Sequence, residues 1–260
     1  MDKERADIVL ARSLGVSRSK AKELITSGAA RFEGAGVKPS TLVSMDGDIR
    51  CEPPKYVGRG GFKLEKALDV FRLSVENAVC LDVGASTGGF TQRLISRGAK
   101  KVYAVDAGEG QLDKSLADDG RVVSMEKTNI TSLTPEDFDE APAFACVDVS
   151  FVSVTKIMRH VFDLIARDAN AVFLVKPQFE AGRENVGKRG VVKNPKTHEG
   201  VLRTVSDFAR FHEIVAQDVT FSPIRGKSGN IEYLLLLKRS GEIVMKNYKY
   251  VVKEAFGALY

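Results

Sequence analysis

From about residue 56 onward, short apolar runs alternate with stretches in which apolar residues recur every three to four positions. The runs AVCLDVGAS (78–86), KVYAVDAG (101–108), RVVSMEK (121–127), AFACVDVS (143–150) and NAVFLVKP (170–177) predict strands. Helical spacing precedes the first of them in FKLEKALDVFRL (62–73) and follows it at 89–97. Strands rich in Val, Leu and Ala with helices between them predict an α/β fold, a mostly parallel sheet covered on both faces. IVAQDVTFS (214–222) and NIEYLLLLKR (230–239) are joined only by PIRGKSG. That connection is too short for a crossover helix, so the last strand is predicted antiparallel.

Residues 3–50 follow a different pattern. ERADIVLARSL predicts a helix ending at Gly15, and Ser17 can cap a second, RSKAKELITS, that stops at Gly28. The Gly-punctuated pieces AARFEG, GVKPS and GDIRC predict short strands. Glu52-Pro53-Pro54-Lys55 marks a boundary, because paired prolines fit neither a helix interior nor a central strand. The expected division is a small α+β domain over 1–52, a linker over 53–61 and the larger domain over 62–260.

Composition narrows the class. The 260 residues are 43% hydrophobic and 28% charged, which excludes disorder as the main state. Lys and Arg exceed Asp and Glu by 39 to 34, a net charge of +5 that leans towards a polyanionic partner without establishing one. Three widely spaced cysteines, Cys51, Cys80 and Cys146, form no C-x-x-C, so neither a disulfide framework nor a zinc site is expected. The start of the chain, MDKERADIVLARSLG, lacks the apolar core of a signal peptide, and no apolar run approaches the roughly 20 residues of a bilayer span. A cytoplasmic protein is expected, without stable membrane association and without a metal.

The most specific local signal is Leu81-Asp82-Val83-Gly84-Ala85-Ser86-Thr87-Gly88-Gly89-Phe90, an apolar strand running into a small-residue turn that opens a helix. Open α/β sheets bind ligands at the carboxyl ends of their strands, where this turn falls. It is not G-x-G-x-x-G and no lysine follows it, which argues against a nicotinamide cofactor and a nucleoside triphosphate. Asp106 ends the next strand and can accept hydrogen bonds from a ribose diol. A glycine turn plus a strand-end acid suits S-adenosylmethionine, which has a ribose but no pyrophosphate. The expected cofactor residues are Asp82, Gly84, Ser86, Thr87, Gly88, Gly89, Phe90, Asp106, Asp148 and, towards adenine, Asn129.

Asp148 and Lys176 end two further strands, so both should emerge at the same sheet edge. Glu232 opens the antiparallel strand and therefore reaches that edge too. Lys63 lies near the start of the helix before the first strand, and spacing alone does not bring it there. Methyl transfer from a sulfonium is an in-line displacement, in which alignment of nucleophile and methyl supplies much of the catalysis. A ribose hydroxyl is a poor nucleophile and needs a group to orient or deprotonate it. Lys63 would lower the pKa of Lys176 and the acids would raise it, which leaves Lys176 open as base or orienting cation.

These blocks resemble a known family. Gly15-Val16-Ser17-Arg18-Ser19-Lys20-Ala21 and Ile25-Thr26-Ser27-Gly28 look like the signature of an S4 RNA-binding domain. The remainder is similar to FtsJ-type ribose methyltransferases, whose Lys-Asp-Lys-Glu tetrad would fall on Lys63, Asp148, Lys176 and Glu232. The combination, with VGRGGFKLEKAL (57–68), DVSFVS (148–153), VKPQFEAGRENVGKRGVVKNP (175–195) and GNIEYLLLL (229–237), resembles the TlyA family. The resemblance implies a Rossmann-like fold, places Lys63 in the site, and implies S-adenosylmethionine-dependent 2′-O-methylation of ribosomal RNA on cytidines. The family also carries the name hemolysin.

An RNA surface is expected at Arg5, Arg12, Arg18, Lys20 and Lys22, and at Arg183, Lys188, Arg189 and Lys193 in the Gly-rich loop beyond Lys176. Arg225 and Lys227 would extend it. The rival readings are a non-catalytic ribosome-assembly factor and a membrane-lytic protein. The target nucleotide, the ribosomal subunit and the oligomeric state are not legible in the chain.

Overall fold

A computed structural model describes residues 2–26, 28–51, 55–241 and 247–259. The chain divides into two compact units, Met1–Arg59 and Gly60–Tyr260. The expected boundary at Glu52–Pro54, and Ser27, lie outside the described residues.

In the first unit, strand β1 (Lys3–Arg5) leads into helices α1 (Ala6–Leu14) and α2 (Arg18–Thr26), followed by β2 (Ala30–Phe32), β3 (Leu42–Ser44) and β4 (Ile49–Cys51). β1 pairs antiparallel with β3, and β2 with β4. Gly15 ends α1 in the left-handed conformation, its N–H returned to Ala11 and Arg12, where a side chain would be strained. Ala6, Val9 and Leu10 of α1 bury against Ala21, Leu24 and Ile25 of α2 and Phe32 of β2.

Two local expectations fail here. The first helix begins at Ala6 rather than Glu4, because Lys3–Arg5 is extended and paired with β3. GVKPS forms no strand: Pro39 has no N–H for a ladder, and Thr41 N–H closes a turn on the Lys38 carbonyl at 2.9 Å. The strand follows at β3 instead.

The second unit begins with α3 (Gly60–Val70), then β5 (Val79–Val83), α4 (Gly89–Ser96), β6 (Lys101–Val105), the short α5 (Lys114–Ala117) and β7 (Val122–Met125). It continues through β8 (Phe144–Val147), α6 (Thr155–Leu164), β9 (Asn170–Val175), α7 (Pro177–Glu180), α8 (Pro195–Phe211), β10 (Val215–Phe221), β11 (Tyr233–Lys238) and α9 (Tyr248–Leu259). Among the described residues one seven-stranded sheet runs β10-β11-β9-β8-β5-β6-β7. β5 to β9 pair in parallel, and β11 is antiparallel to both β9 and β10, as its short connection requires.

Both faces of this sheet are covered. Residues 171–175 of β9 are all buried, the near-continuous apolar run of a strand enclosed on two sides. On one face Phe173 stacks on Phe162 of α6, ring centroids 6.4 Å apart. On the other, Leu64 and Leu68 of α3 meet Leu94 of α4, Val172 and Leu234. Removing a buried phenylalanine such as Phe173 from such a core costs about 3–5 kcal/mol.

Helix α3 starts at Gly60, inside the expected linker, and ends at Val70 rather than 73. A side chain at Gly60 would stand 3.0 Å from the Phe90 ring, so glycine lets the first turn of α3 lie close on α4 without displacing that ring. At the other end Arg72 turns left-handed, and Leu73 N–H returns to the Leu68 carbonyl, which closes the helix. Among the described residues no helix is long and apolar enough to cross a membrane.

Candidate active site

The chain leaves β5 for β6 and β7 on one side and returns to β8 and β9 on the other, so the strand order reverses at β5. A crevice opens at the carboxyl ends of strands at such a reversal. The glycine turn sits there. Gly84 has φ +85°, and a Cβ on it would come within 2.6 Å of the Asp148 carbonyl, so the two strand ends abut only because residue 84 is glycine. Asp106 follows β6 and accepts from Ser86 N–H at 2.8 Å and Gly108 N–H at 2.7 Å. Ser86 Oγ reaches Gln111 at 3.3 Å, and Glu126 at the end of β7 accepts from the N–H groups of Gly110, Gln111 and Leu112. Those three bonds hold the Glu126 carboxyl below its usual range and fasten the loop after β6 beside the turn.

The remaining expected cofactor residues fall into two groups. Ser86 and Thr87 are exposed at the turn, and Asn129 is exposed, its side chain capping the turn at Ile130–Ser132 by accepting from Thr131. Asp82 and Phe90 lie beneath it. Asp82 has no exposed surface: it accepts from Thr91 Oγ1 at 2.6 Å and lies 3.7 Å from Cys146 Sγ, tying β5 to α4 rather than facing the crevice. Burial pushes its carboxyl up to about 7, against the Thr91 hydrogen bond and with help from Asp148. Phe90 is 3% exposed and packs under α3.

Lys63, Asp148, Lys176 and Glu232 converge. Lys176 Nζ lies 2.7 Å from Asp148 Oδ1 and donates to Ser150 Oγ at 2.8 Å. Lys63 Nζ lies 2.7 Å from Glu232 Oε2 and 3.6 Å from Asp148 Oδ2. Asp148 is thus shared between two ammonium groups. Burial acts to raise its pKa, but Lys63 and Lys176 together overcome it, and the carboxyl is held below its ordinary value. Both lysines are nine-tenths buried, and ion pairing offsets the cost of taking their charges out of water.

Lys63 reaches this edge because α3 runs against the direction of β5. A helix that feeds the start of a strand begins near the strand's far end, and at 1.5 Å per residue α3 matches the length of β5.

Beside this cluster stands Phe151, 92% exposed, in the left-handed conformation at φ +65°. Such a backbone is costly for a bulky residue and persists only where surrounding structure enforces it. Phe179 of α7 lies against its ring at 5.4 Å, and Glu180 accepts from Ser153 Oγ at 2.6 Å and Val154 N–H at 2.9 Å, holding the same loop. The sequence pattern does not single out Ser150, Phe151 or Glu180. A bulky aromatic three residues beyond the strand-end Asp148 is the available signal for Phe151; Ser150 carries none.

The expected RNA-binding residues also divide. Arg183, Lys188, Arg189 and Lys193 are exposed along the loop after α7. In the first unit, Arg5 and Arg18 both engage the buried carboxylate of Asp7 at 3.0 Å, and Arg12 pairs with Glu4 at 3.1 Å. Hydrogen bonding from Arg5, against burial and with Arg18, lowers Asp7 to about 2. Lys20 and Lys22 are exposed. Among the described residues no cluster of His, Cys, Asp and Glu has the arrangement of a metal site.

Comparison with known proteins places the chain in a family. A family described as FtsJ-like methyltransferase matches residues 56–239. The 16S/23S rRNA (cytidine-2′-O)-methyltransferase TlyA of Mycobacterium tuberculosis is 42% identical over 87% of this chain and 86% of its own. Hemolysin A of Brachyspira hyodysenteriae is 44% identical over 84% of this chain and 92% of its own. A solved structure of a Streptococcus thermophilus protein described as a hemolysin superposes with a TM-score of 0.78, at 41% identity, over 99% of this chain and 97% of that one. The match spans the glycine turn, the two lysines and both acids alike, and the chain belongs to the FtsJ-like methyltransferase family.

Proposed function

We propose that this protein transfers a methyl group from S-adenosylmethionine to the 2′-hydroxyl of a ribose, a cytidine's, in ribosomal RNA. The single observation that carries the reading is Lys176 Nζ, held between Asp148 Oδ1 and Ser150 Oγ at the strand edge where the glycine turn opens. Membership of the FtsJ-like family and the activity for which the TlyA relative is named support the same reaction.

The donor set fits the cofactor. Asp106 is braced by two backbone N–H groups and keeps lone pairs for a vicinal diol. Residues 84–91 contain no lysine or arginine to meet phosphates. Ser86, Thr87 and the backbone of Gly84 to Gly89 would line the site, with Asn129 on the adenine side. Bound there, S-adenosylmethionine supplies an electrophilic methyl group on a sulfonium sulfur.

The chain's own residues then have distinct tasks. Lys176 meets the 2′-hydroxyl: Asp148 and Ser150 occupy two of its Nζ positions, and the third orients the ribose oxygen, whose proton passes to solvent as its bond to the methyl carbon forms and the carbon–sulfur bond of the sulfonium breaks. Asp148 stays ionised and fixes that ammonium in direction. Lys63 neutralises Asp148 from its other oxygen, and Glu232 in turn holds Lys63. The result is a preorganised frame for in-line attack, in which positioning provides most of the rate.

Exposed Phe151, backed by Phe179, offers the target nucleobase a face to stack on once it leaves its own stack. Arg183, Lys188, Arg189 and Lys193 would contact flanking phosphates, and the first unit would serve as an S4-like RNA-binding domain, in a cytoplasmic protein. Replacing Lys176 by alanine tests the assignment: methyl transfer should be lost while S-adenosylmethionine and RNA still bind. Retained turnover would refute it.

A further inference from the structure

The loop that carries Lys188, Arg189 and Lys193 is not merely tethered at its ends. Gly187 and Gly190 close a turn within it, with Gly190 N–H on the Gly187 carbonyl at 2.7 Å and Gly187 N–H on the Val191 carbonyl at 3.1 Å. That turn pushes Lys188 and Arg189 outward, where both are exposed. Behind it the backbone is gripped by two side chains with no exposed surface, Asn230 and His198.

Asn230 Oδ1 accepts from Val192 N–H at 2.9 Å, and its Nδ2 donates to the Gly190 carbonyl at 2.8 Å, as a neighbouring strand would. His198, from the first turn of α8, lies 2.9 Å from the Val192 carbonyl through Nε2 and 2.9 Å from the Tyr233 hydroxyl through Nδ1. A carbonyl only accepts, so Nε2 carries the proton and Nδ1 accepts from Tyr233. Burial holds the ring below its ordinary pKa and therefore neutral, the form this pair of bonds needs.

The other side of the grip is the start of β11. Asn230 stands two residues before Glu232, which touches Lys63, and Tyr233 is the next residue. The Asn230 carbonyl also accepts from Gly226 N–H at 2.9 Å, and a side chain on Gly226 would collide with Glu232 Oε1. One short stretch, 230–233, thus carries a member of the catalytic cluster and fastens the basic loop beside it.

We propose that Asn230, seconded by His198, is a positioning residue for the RNA substrate: it locks Lys188, Arg189 and Lys193 in register with the Lys63–Asp148–Lys176–Glu232 cluster. The proposal rests on the methyltransferase reading above. Asn230 touches neither substrate nor cofactor; it acts by fixing where the phosphate-binding cations stand.

The test is binding of in-vitro-transcribed ribosomal RNA across a salt series. It compares wild type, Asn230→Ala, Lys188→Ala/Arg189→Ala, and the triple variant, with S-adenosylmethionine affinity and melting temperature as controls. Asn230→Ala should weaken RNA binding about fivefold to tenfold and flatten the dependence of affinity on salt, because fewer phosphates are neutralised. Its S-adenosylmethionine affinity should stay within about twofold. Lys188→Ala/Arg189→Ala should cost a similar factor in wild type but less than about twofold in the Asn230→Ala background, the non-additivity expected of residues acting as one.

An unchanged salt slope, full additivity, or normal binding by Lys188→Ala/Arg189→Ala would overturn the proposal. Should Asn230→Ala fail to fold, Asn230→Asp keeps the acceptor for Val192 N–H and removes the donor to Gly190. His198→Gln leaves Asn230 intact. Both should lose RNA affinity in the same direction, and wild-type binding in both would equally overturn the proposal. A wild-type protein that neither binds nor methylates ribosomal RNA would instead sink the functional reading itself.

Discussion

Lys176 Nζ and Asp148 Oδ1 stand 2.7 Å apart although their residues end different strands. β8 and β9 run parallel with Val147 opposite Phe173, so Asp148 and Lys176 leave the sheet at the same edge, and the lysine side chain folds back to the acid. The pair is made by sheet register, and Lys63 binds the acid's other oxygen. This arrangement fixes the amine in place before substrate arrives.

If Lys176 Nζ orients the ribose hydroxyl, Lys176→Ala should lower single-turnover methyl transfer by about 10²–10³-fold, the range typical of losing one preorganised hydrogen-bond donor at the reacting atoms. The affinities for S-adenosylmethionine and for RNA should each stay within a few-fold, as measured by calorimetry and filter binding. A proportional loss of binding would point to a structural role.

Asp106 makes a different prediction. Its carboxylate holds the turn at Ser86 and the loop at Gly108 while facing the expected ribose site. Asp106→Ala should weaken S-adenosylmethionine binding about 10- to 100-fold, the equivalent of one or two charge-assisted hydrogen bonds. RNA affinity should not change. Unaltered calorimetric affinity for S-adenosylmethionine would remove Asp106 from the cofactor site.

Asp82 predicts a pH effect on stability. Its folded pKa of about 7 exceeds the roughly 3.9 of an unfolded aspartate. Between about pH 4 and 7 the native protein keeps a proton that the unfolded chain has released. Stability therefore falls as pH rises through that window and levels off above it. Asp82→Asn, which has nothing to ionise, should show a flatter melting temperature from pH 5 to 8. Parallel curves for the two proteins would contradict the assignment.

Phe151 separates substrate binding from folding. Loss of one base–aromatic stack costs about 1–3 kcal/mol, so Phe151→Gly should weaken RNA binding or raise its KM about 5- to 150-fold. Glycine also relieves the left-handed backbone at φ +65°, so the melting temperature should hold or rise. A variant that loses stability along with RNA affinity would indicate that Phe151 is a packing residue.

Much of this site was legible in the chain, for identifiable reasons. Asp106, Asp148 and Lys176 were readable because parallel strands end at a common edge, and Glu232 because seven turn-forming residues cannot make a crossover. Lys63 needed the family resemblance, although the length of α3 against β5 would have put its first turn at the same edge. Asp82 and Arg18 show where a linear pattern stops. Both look like ligand-facing charges in sequence, yet Asp82 turns inward to Thr91 and Arg18 is drawn to buried Asp7. Such pairings depend on which helix faces pack, and no spacing records that. The strand at Leu42–Ser44 escapes the sequence pattern for a related reason, since three residues carry too little alternation and β1 supplies the pairing from far away in sequence.

The most direct test of the central claim is transfer of tritiated methyl from labelled S-adenosylmethionine into naked ribosomal RNA and isolated ribosomal subunits from unmodified cells, with Lys176→Ala run alongside. The account predicts label in alkali-resistant ribose, at cytidine, with wild-type protein and none with the variant. Label that persists with Lys176→Ala, or its absence from every ribosomal substrate while S-adenosylmethionine binds, would contradict it.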